Sequence, residues 1–563
     1  MPSKIQQVSQ KVEEQAIYIL QQLSLELISV QLVGRLSKVN PESEPTFTIL
    51  TIMPDQPNPD IWYRAVRQIH SVLLRDTPDI SVELIEQKLC TGIYCYPVNR
   101  THPIFPKWPS IAQCIVSHCD TREWTALECW RYGTDPTREK NPVTVVVQVL
   151  ETSTYSFIAV ARYINIILGL FDQIDVDVLF RRNTSRPFMG NPPVPVEACA
   201  GTILPGVSLG MHECSVGSST LGGLVQVQLD HQWRTYALTC FHAVWPSENH
   251  RDIKRLNEIP DALKAIEHWG FHPLDPRDPT SFPHLSSHIL RVDHPSLQDL
   301  NSTIDRRRSI VTGMRTQQFL NYENEINKGE DGWLSESAKA KYEAILRRIK
   351  ATEDACSPFI TMRDSGNHVL GYVYAGSGMN RIRNMERLNK QSEKETRLVS
   401  IDWALVEINP ARLQPQQHGD CISGNRPFPY GNNVQFSGAF GQPITEPFFG
   451  LELQKSGRSS QITTGTYSEL ECVTFTQTKG DDGQTIVVPT WEHKIASNGD
   501  GDFAEQGDSG SWVYTISGEL VGILKGGDEA HGTGTMMLMP DIFDDIRSVT
   551  GATNVRVAPE PVG

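Results

Sequence analysis

The stretch best equipped for chemistry is EQGDSGSWVY, Glu505–Tyr514, in which Ser509 stands between small residues. A serine hydroxyl is a weak nucleophile unless a tight turn holds it outward, N–H groups face the oxyanion it creates and a base takes its proton. Gly507 and Gly510 supply the permissive backbone positions that such a turn needs. Beyond the turn, Trp512 and Tyr514 alternate with smaller residues, the pattern of a strand that would carry it. The chemistry predicted is attack on a carbonyl, provided the fold brings a base and an orienting carboxylate to Ser509.

Gly-Asp-Ser-Gly resembles the signature of chymotrypsin-like serine proteases, the PA clan, although Ser511 stands where many members have a second glycine and no proline follows. In that family the partners precede the serine, in the order histidine, aspartate, serine. TYALTCFHAVW, Thr235–Trp245, reads as a strand running into a histidine and resembles the family's histidine segment, which implies His242 as general base. VSIDWALVEI, Val399–Ile408, resembles the family's Asp-x-Ala-Leu segment and implies Asp402 as the group that holds the imidazole tautomer. The resemblance further implies an oxyanion hole from the N–H groups of Gly507 and Ser509, and a primary pocket with Phe503 at its base and Gly527 and Gly534 on its wall. With no carboxylate at that base, cleavage after apolar residues is expected over cleavage after arginine or lysine. Asp502 is one place away, so a shift of one residue would reverse this.

LQKSGRSSQITTGTYSEL, Leu453–Leu470, resembles the Lys-x-Gly-Arg-Thr-Thr-Gly-x-Thr-x-Gly hairpin of intracellular fungal trypsin-like proteases, including the nutrient-sensor endoproteases. Ser459 and Ser460 replace threonines there, and Gln461 replaces a glycine. The resemblance extends over roughly residues 199 to 550 in scattered blocks. In secreted relatives the counterpart of Asp508 pairs with a new N-terminus made by cleavage. No Ile-Val-Gly-Gly-like start precedes the first protease-like strands here, so the site is either preformed or switched on by another route. An α/β-hydrolase esterase does not fit, because there the serine precedes the acid and the histidine. The alternative is a protease-fold scaffold or binding protein without activity, against which the intact His242, Asp402 and Ser509 speak.

Around these residues the chain of 563 is long enough for two or three domains. A net charge of −15 turns the expectation away from a nucleic-acid backbone or an anionic membrane and toward a protein or peptide substrate. The first residues, MPSKIQQVSQKVEEQ, have no apolar secretory core, and Tyr155–Phe171 is too short and too interrupted by Arg162 and Asn165 to span a bilayer. The places where secreted members bridge cysteines beside the histidine and the serine hold Ala243 and Glu505, so the eleven cysteines are expected as free thiols in a cytoplasmic or otherwise intracellular protein. Cys114, His118, Cys119 and Cys129 lack a paired Cys-x-x-Cys knuckle, and neither metal nor other cofactor is expected.

The expected architecture is multidomain: an N-terminal α+β domain, then an all-β double β-barrel of chymotrypsin type with a large helical insertion. Residues 1–185 form the first domain. Within it, a strand from Pro45, a helix over Ile61–Leu74 and a strand at Ile80–Leu84 return as a strand from Pro142, a helix over Phe157–Phe171 and a strand at Ile174–Phe180. The prolines lie 97 apart and the last strands 94 apart, which suggests a duplicated β-α-β module with a regulatory or adaptor role. Four prolines in TSRPFMGNPPVPV, Thr184–Val196, mark a linker at 186–197. The protease domain follows at 198–550 with an insertion at 247–367, and 551–563 is a tail. His242 and Asp402 are separated by 159 residues, and the insertion between them carries helical patterns at Asn257–Trp269 and after a capping Ser335, where Tyr342, Ile345, Leu346 and Ile349 make an apolar stripe. His368–Gly378 then returns to the sheet, and a Pro/Gly-rich connector over Asn409–Gly441 leads to the second barrel.

Overall fold

The computed structural model describes residues 3–35, 46–53, 59–73, 80–86, 93–182, 193–201, 203–214, 217–246, 256, 258–328, 334–388, 394–413, 425–428, 438–444, 446–479, 483–498, 501–528 and 532–559. The chain divides into two compact units, Met1–Tyr94 with Tyr132–Pro142, and Cys95–Arg131 with Val143–Gly563.

The first unit contains α1 (Ser3–Gln22), β1 (Ser29–Arg35), β2 (Thr46–Met53), α2 (Pro59–Leu73) and β3 (Ile80–Glu86). β2 pairs antiparallel with β1 and parallel with β3, the connection through α2 making a β-α-β unit. Val12, Ala16 and Leu20 recur every fourth residue and so lie on one side of α1, and Ala65 and Ile69 do the same on α2. These residues are buried in one apolar cluster with Ile49 and Met53 of β2.

Next along the chain come β4 (Tyr94–Tyr96), α3 (Trp108–His118), β5 (Trp124–Gly133), β6 (Val143–Val149), α4 (Ile158–Leu170) and β7 (Asp177–Arg182). β6 and β7 are parallel, so the second expected β-α-β unit is present as well. Its membership differs from the expected boundary near residue 185. β5 is hydrogen-bonded to a strand of the C-terminal region through Val473 and Thr474, and every residue of β6 is buried, as in a strand covered on both faces. Lys494 and Glu128 form an enclosed ion pair at 2.7 Å, and Arg181 reaches Asp528 at 2.9 Å. These bonds make residues 143–182 part of the second unit. The linker expected at Thr184–Val196 lies outside the described residues up to Pro192; Val196 opens a short 3-10 turn, Val196–Ala200.

An eight-stranded sheet contains β8 (Ser208–Met211), β9 (Ser218–Thr220), β10 (Gly223–Leu229), β11 (Gln232–Thr239), β12 (Arg291–Asp293), β13 (Val369–Gly376), β16 (Ala404–Ile408) and β23 (Asn554–Val557), ordered β23-β10-β11-β16-β13-β12-β8-β9. β14 (Arg381–Leu388) and β15 (Lys394–Ile401) form a hairpin that runs to Asp402. The second sheet contains β17 (Glu452–Gly457), β18 (Gln461–Lys479), β19 (Thr485–Ser497), β20 (Trp512–Thr515), β21 (Leu520–Asp528) and β22 (Thr533–Leu538). These pair as β17-β20-β21-β22-β19-β18, and the β17–β18 pairing closes them into a six-stranded ring. Among the described residues the eight-stranded sheet has no strand pairing that closes it, so the expected pair of barrels is met by one closed ring and one open path. The expected tail supplies β23, which pairs with β10.

Between β11 and β13 stand α5 (Ala262–Trp269), α6 (Pro283–Ile289), α7 (Leu297–Met314), α8 (Gln317–Asn327) and α9 (Glu336–Asp364); α10 (Pro410–Leu413) and α11 (Met539–Thr550) come later. Within the expected helix from Asn257, Glu258 is helical and α5 begins at Ala262, while Asn257 itself lies outside the described residues. Ser335 caps α9, its side chain accepting the Ala338 N–H. Tyr342 and Ile349 are buried, Ile345 is partly buried against the same small cluster, and Leu346 is exposed. The insertion roots on the sheet through Leu300, Ile304, Phe359 and Met362, which pack with Val207 and Ala198. Most of the connector Asn409–Gly441 lies outside the described residues. No helix among the described residues is long and apolar enough to cross a membrane.

Candidate active site

His242 opens a 3-10 turn, His242–Val244, directly after β11, whose burial changes from alternating to continuous as it nears the histidine. Asp402 sits between β15 and β16, with a side chain that is only 4% exposed. The backbone there aims two donors at the carboxylate: Oδ1 accepts from Phe241 N (2.6 Å) and from His242 N (3.1 Å). Oδ2 meets His242 Nδ1 in a short contact. An ionised carboxylate only accepts, so Nδ1 carries the proton and Nε2 keeps its lone pair, the tautomer a general base needs. Burial pushes the Asp402 carboxyl up, but the His242 charge and hydrogen bonds, helped by Lys525, outweigh it and hold the group below its ordinary value.

Ser509 lies in a turn whose neighbouring amides are spent. Asp508 N donates to Glu505 O (3.0 Å), Gly510 N to Leu524 O (2.9 Å) and Ser511 N to Asp508 O (3.0 Å). Among the described residues the N–H groups of Gly507 and Ser509 donate to nothing. Gly507 has a φ of +98°, and a Cβ there would come within 2.5 Å of Arg458 and 2.6 Å of Ser459 Oγ. Gly510, at φ +92°, leaves no room either: its Cβ would stand 2.3 Å from Thr220 O. Both glycines are therefore required by the shape of the turn. Thr220 ties the turn to the eight-stranded sheet, its N donating to Ser509 O and its Oγ1 to Gly507 O, each at 2.9 Å.

The Ser509 hydroxyl donates to Lys525 O at 3.0 Å, and no hydrogen bond joins it to His242. Lys525 is itself engaged, with Nζ on Glu492 Oε1 (2.7 Å) and Ser400 Oγ (2.9 Å). Cys240 also approaches His242 and Asp402. Burial pushes its thiol well above the ordinary value, and its Sγ donates to Leu524 O at 3.4 Å. With both Asp402 oxygens occupied and this thiol protonated, the group is poorly suited to a metal ion.

Asp508 has a partner that sequence reasoning missed. Lys455 Nζ lies 3.0 Å from its Oδ2, and both side chains are fully enclosed. Ser459 N and Ser460 N donate to Oδ1 at 2.8 and 3.2 Å, while Ser460 Oγ and Glu505 N donate to Oδ2 at 2.6 and 3.0 Å. Burial raises the Asp508 carboxyl, but Lys455 and these donors hold it below its usual range. The signal was the lysine of Lys-Ser-Gly-Arg, read only as part of a hairpin resemblance.

The three expected pocket residues come together, but not as an open pocket. Gly527 and Gly534 are cross-strand partners in β21 and β22, and a Cβ on Gly534 would stand 2.7 Å from the Phe503 ring. Phe503 is fully buried among Leu453, Tyr467, Ile495 and Leu524, whereas Asp502 is half-buried. Nine cysteines lie among the described residues and none is bridged; Cys90 and Cys421 lie outside them. In the cluster Cys114, His118, Cys119 and Cys129, His118 Nδ1 bonds to Cys114 O at 2.8 Å and Cys129 is buried in an apolar core.

No family model matches the chain, and no curated protein matches it. Among solved structures it is similar to a glutamic acid specific serine protease described as using a novel histidine triad in substrate binding, at 11% identity over 63% of this chain and 100% of that one, with a TM-score of 0.24. A Nocardiopsis protease is similar at 10% identity over 63% of this chain and 98% of its own, TM-score 0.24. Protease A of Thermobifida fusca is similar at 10% identity over 63% and 100%, TM-score 0.23. The first of these is a serine protease and the other two are described as proteases; none bears on a fungal or nutrient-sensor subtype. Likeness this slight carries no argument about the reaction, which has to stand on the side chains.

Proposed function

We propose that the chain is a serine endopeptidase in which Ser509 attacks a peptide carbonyl, His242 Nε2 takes the hydroxyl proton and Asp402 stabilises the resulting imidazolium. The observation that carries this reading is the carboxylate of Asp402, bonded at once to the His242 ring and to the His242 backbone N–H, in a fold that leaves the Gly507 and Ser509 N–H groups unspent. Those two donors suit the oxyanion of the tetrahedral intermediate. Collapse of that intermediate breaks the C–N bond, the amine leaves with the proton from His242, and water then hydrolyses the acyl-Ser509 ester by the same exchange. To begin, the Ser509 hydroxyl must give up its bond to Lys525 O and come within hydrogen-bond reach of His242 Nε2; such contacts are often loose before substrate binds.

Lys455 gives Asp508 the cation that cleavage supplies in secreted relatives, which supports a preformed site needing no new N-terminus. Substrate preference is proposed as apolar, since Phe503 rather than a carboxylate lies between Gly465 and Gly534. An intracellular setting is proposed from the missing cysteine bridges, and a regulatory or adaptor role is assigned to Met1–Tyr94 rather than to residues 1–185. Removing residues 1–94 and comparing peptidase rates tests that role, which equal rates would refute. The second reading, a protease-fold binding protein, draws on the Ser509 hydroxyl facing Lys525 O. Peptide-library turnover decides between them: hydrolysis by the wild type and its loss in Ser509→Ala is expected, and folded wild type that cleaves nothing favours the binding protein.

A further inference from the structure

A second histidine–aspartate group lies where the helical insertion leaves and rejoins the eight-stranded sheet. His212 follows β8, Asp293 ends β12 and His368 precedes β13, and one ligand atom from each lies within 4.8 Å of the other two. Asp293 is 0% exposed and His368 6%. His212 Nδ1 is 2.8 Å from Asp293 Oδ1, and His368 Nε2 is 3.7 Å from Asp293 Oδ2. Among the described residues Oδ2 has no hydrogen-bond partner. A carboxylate oxygen wholly removed from water and bonded to nothing is costly, so the site is short of one positive partner.

The outer nitrogens of the two rings each face a protein oxygen. His368 Nδ1 bonds to Met362 O at 3.3 Å, and His212 Nε2 lies 3.4 Å from Glu213 Oε1. Imidazoles that ligate metals turn their second nitrogen to a carbonyl or carboxylate in this manner, which fixes the tautomer; for His212 the proton must then sit on Nε2, so that Nδ1, 2.8 Å from Asp293 Oδ1, acts as a ligand rather than as a hydrogen-bond donor. With its proton on Nδ1, His368 presents a lone pair to the bare oxygen of Asp293, and two acceptors face each other across 3.7 Å unless a cation joins them. Arg412 is close enough for its charge to be felt by Asp293; its Nη1 donates to His294 O (3.0 Å) and Asn367 O (2.6 Å), its buried Nε and Nη2 have no hydrogen-bond partner among the described residues, and it gives Oδ2 no hydrogen bond. It softens the charge of the carboxylate without filling the gap.

We propose that His212, Asp293 and His368 bind one divalent transition-metal ion, zinc first, with water completing the coordination. Two imidazoles and a carboxylate are a borderline nitrogen and oxygen set that suits zinc at about 2.0–2.2 Å per ligand. The ion joins β8, β12 and the start of β13, and so pins both ends of the helical segment Leu297–Asp364. Its neighbour α7 begins at Leu297, and Asp299 of that helix grips Arg458 at 2.6 Å, beside the turn that holds Gly507.

The test uses the full chain, stripped with a chelator and titrated with zinc by calorimetry and with cobalt by visible absorption. One ion per chain is expected, with cobalt bands that lack thiolate charge transfer. His212→Gln, at a rim position, is expected to weaken binding by about 100-fold or more, while His242→Ala, in the other histidine–aspartate group, leaves it unchanged. Folding of each variant is checked by circular dichroism. Should His212→Gln not fold, X-ray absorption on zinc-loaded wild type decides, a nitrogen and oxygen shell supporting the site and a sulfur shell overturning it. Wild type that binds no stoichiometric ion, His212→Gln that binds as tightly, or loss on His242→Ala each overturns the proposal.

Discussion

Asp402 and Asp293 are both enclosed aspartates beside a histidine ring, yet they differ in what meets their oxygens. Asp402 is complete: two backbone N–H groups take Oδ1 and the His242 ring takes Oδ2. Asp293 has His212 on Oδ1 and nothing hydrogen-bonded to Oδ2. A carboxylate satisfied by its own chain can hold one imidazole in one tautomer and leave the other nitrogen to work. One left incomplete is a ligand waiting for an ion. On the proposed reading the same two residue types would serve proton transfer at one place and metal binding at the other, according to how many backbone donors the local fold supplies.

The sharpest way to break this comparison is to change each aspartate to asparagine. Asp402→Asn retains an oxygen for the backbone donors but offers N–H to His242, which reverses the tautomer; a fall in kcat/KM of about 10⁴-fold with little change in Tm is expected. Asp293→Asn should leave peptide turnover within a few fold while abolishing zinc binding. Matching losses of turnover in the two variants would remove the distinction.

A third aspartate extends the comparison. Asp508 is completed by a lysine, and Lys455→Met leaves its charge buried without a counterion, for an expected loss of about 3–5 kcal/mol in denaturant unfolding. Adding Asp508→Asn should restore part of that loss, and an additive double variant would show that the two do not interact.

Less of this was legible in sequence than the proposed triad suggests. Ser509, His242 and Asp402 announce themselves because each sits in a short local pattern, a Gly-flanked turn or a strand end. Lys455 does not, since a lysine in a strand reads as a solvent-facing residue until the fold closes a ring around it. His212, Asp293 and His368 are scattered through the chain, and only the pairing of β8, β12 and β13 gathers them. The compact units divide the chain elsewhere than the expected boundary for a related reason. Val143–Val149 reads as one more N-terminal strand, and its one polar residue after the threonine, Gln148, meets its partner Asp528 at 2.6 Å from the far end of the sequence. Local pattern named both β-α-β units; which of them joins the second sheet was written in contacts between residues hundreds of positions apart.

A smaller effect should appear in acid. Asp402 and Asp508 both titrate below the ordinary aspartate value in the folded chain, so their contribution is complete above about pH 3.9 and drains away as the pH falls through their depressed values. Urea unfolding should therefore weaken more steeply below that point in wild type than in Asp508→Asn, and parallel curves would mean that the pair does not report on folding.

On the proposed reading Ser509 is a nucleophile driven by His242. Intact-mass measurement after exposure to a serine-directed phosphonate addresses it most directly. One adduct located on Ser509 is predicted for the folded wild type, none for Ser509→Ala, and strongly slowed labelling for His242→Ala. Folded wild type that takes no adduct, or takes it equally in Ser509→Ala, would contradict the account.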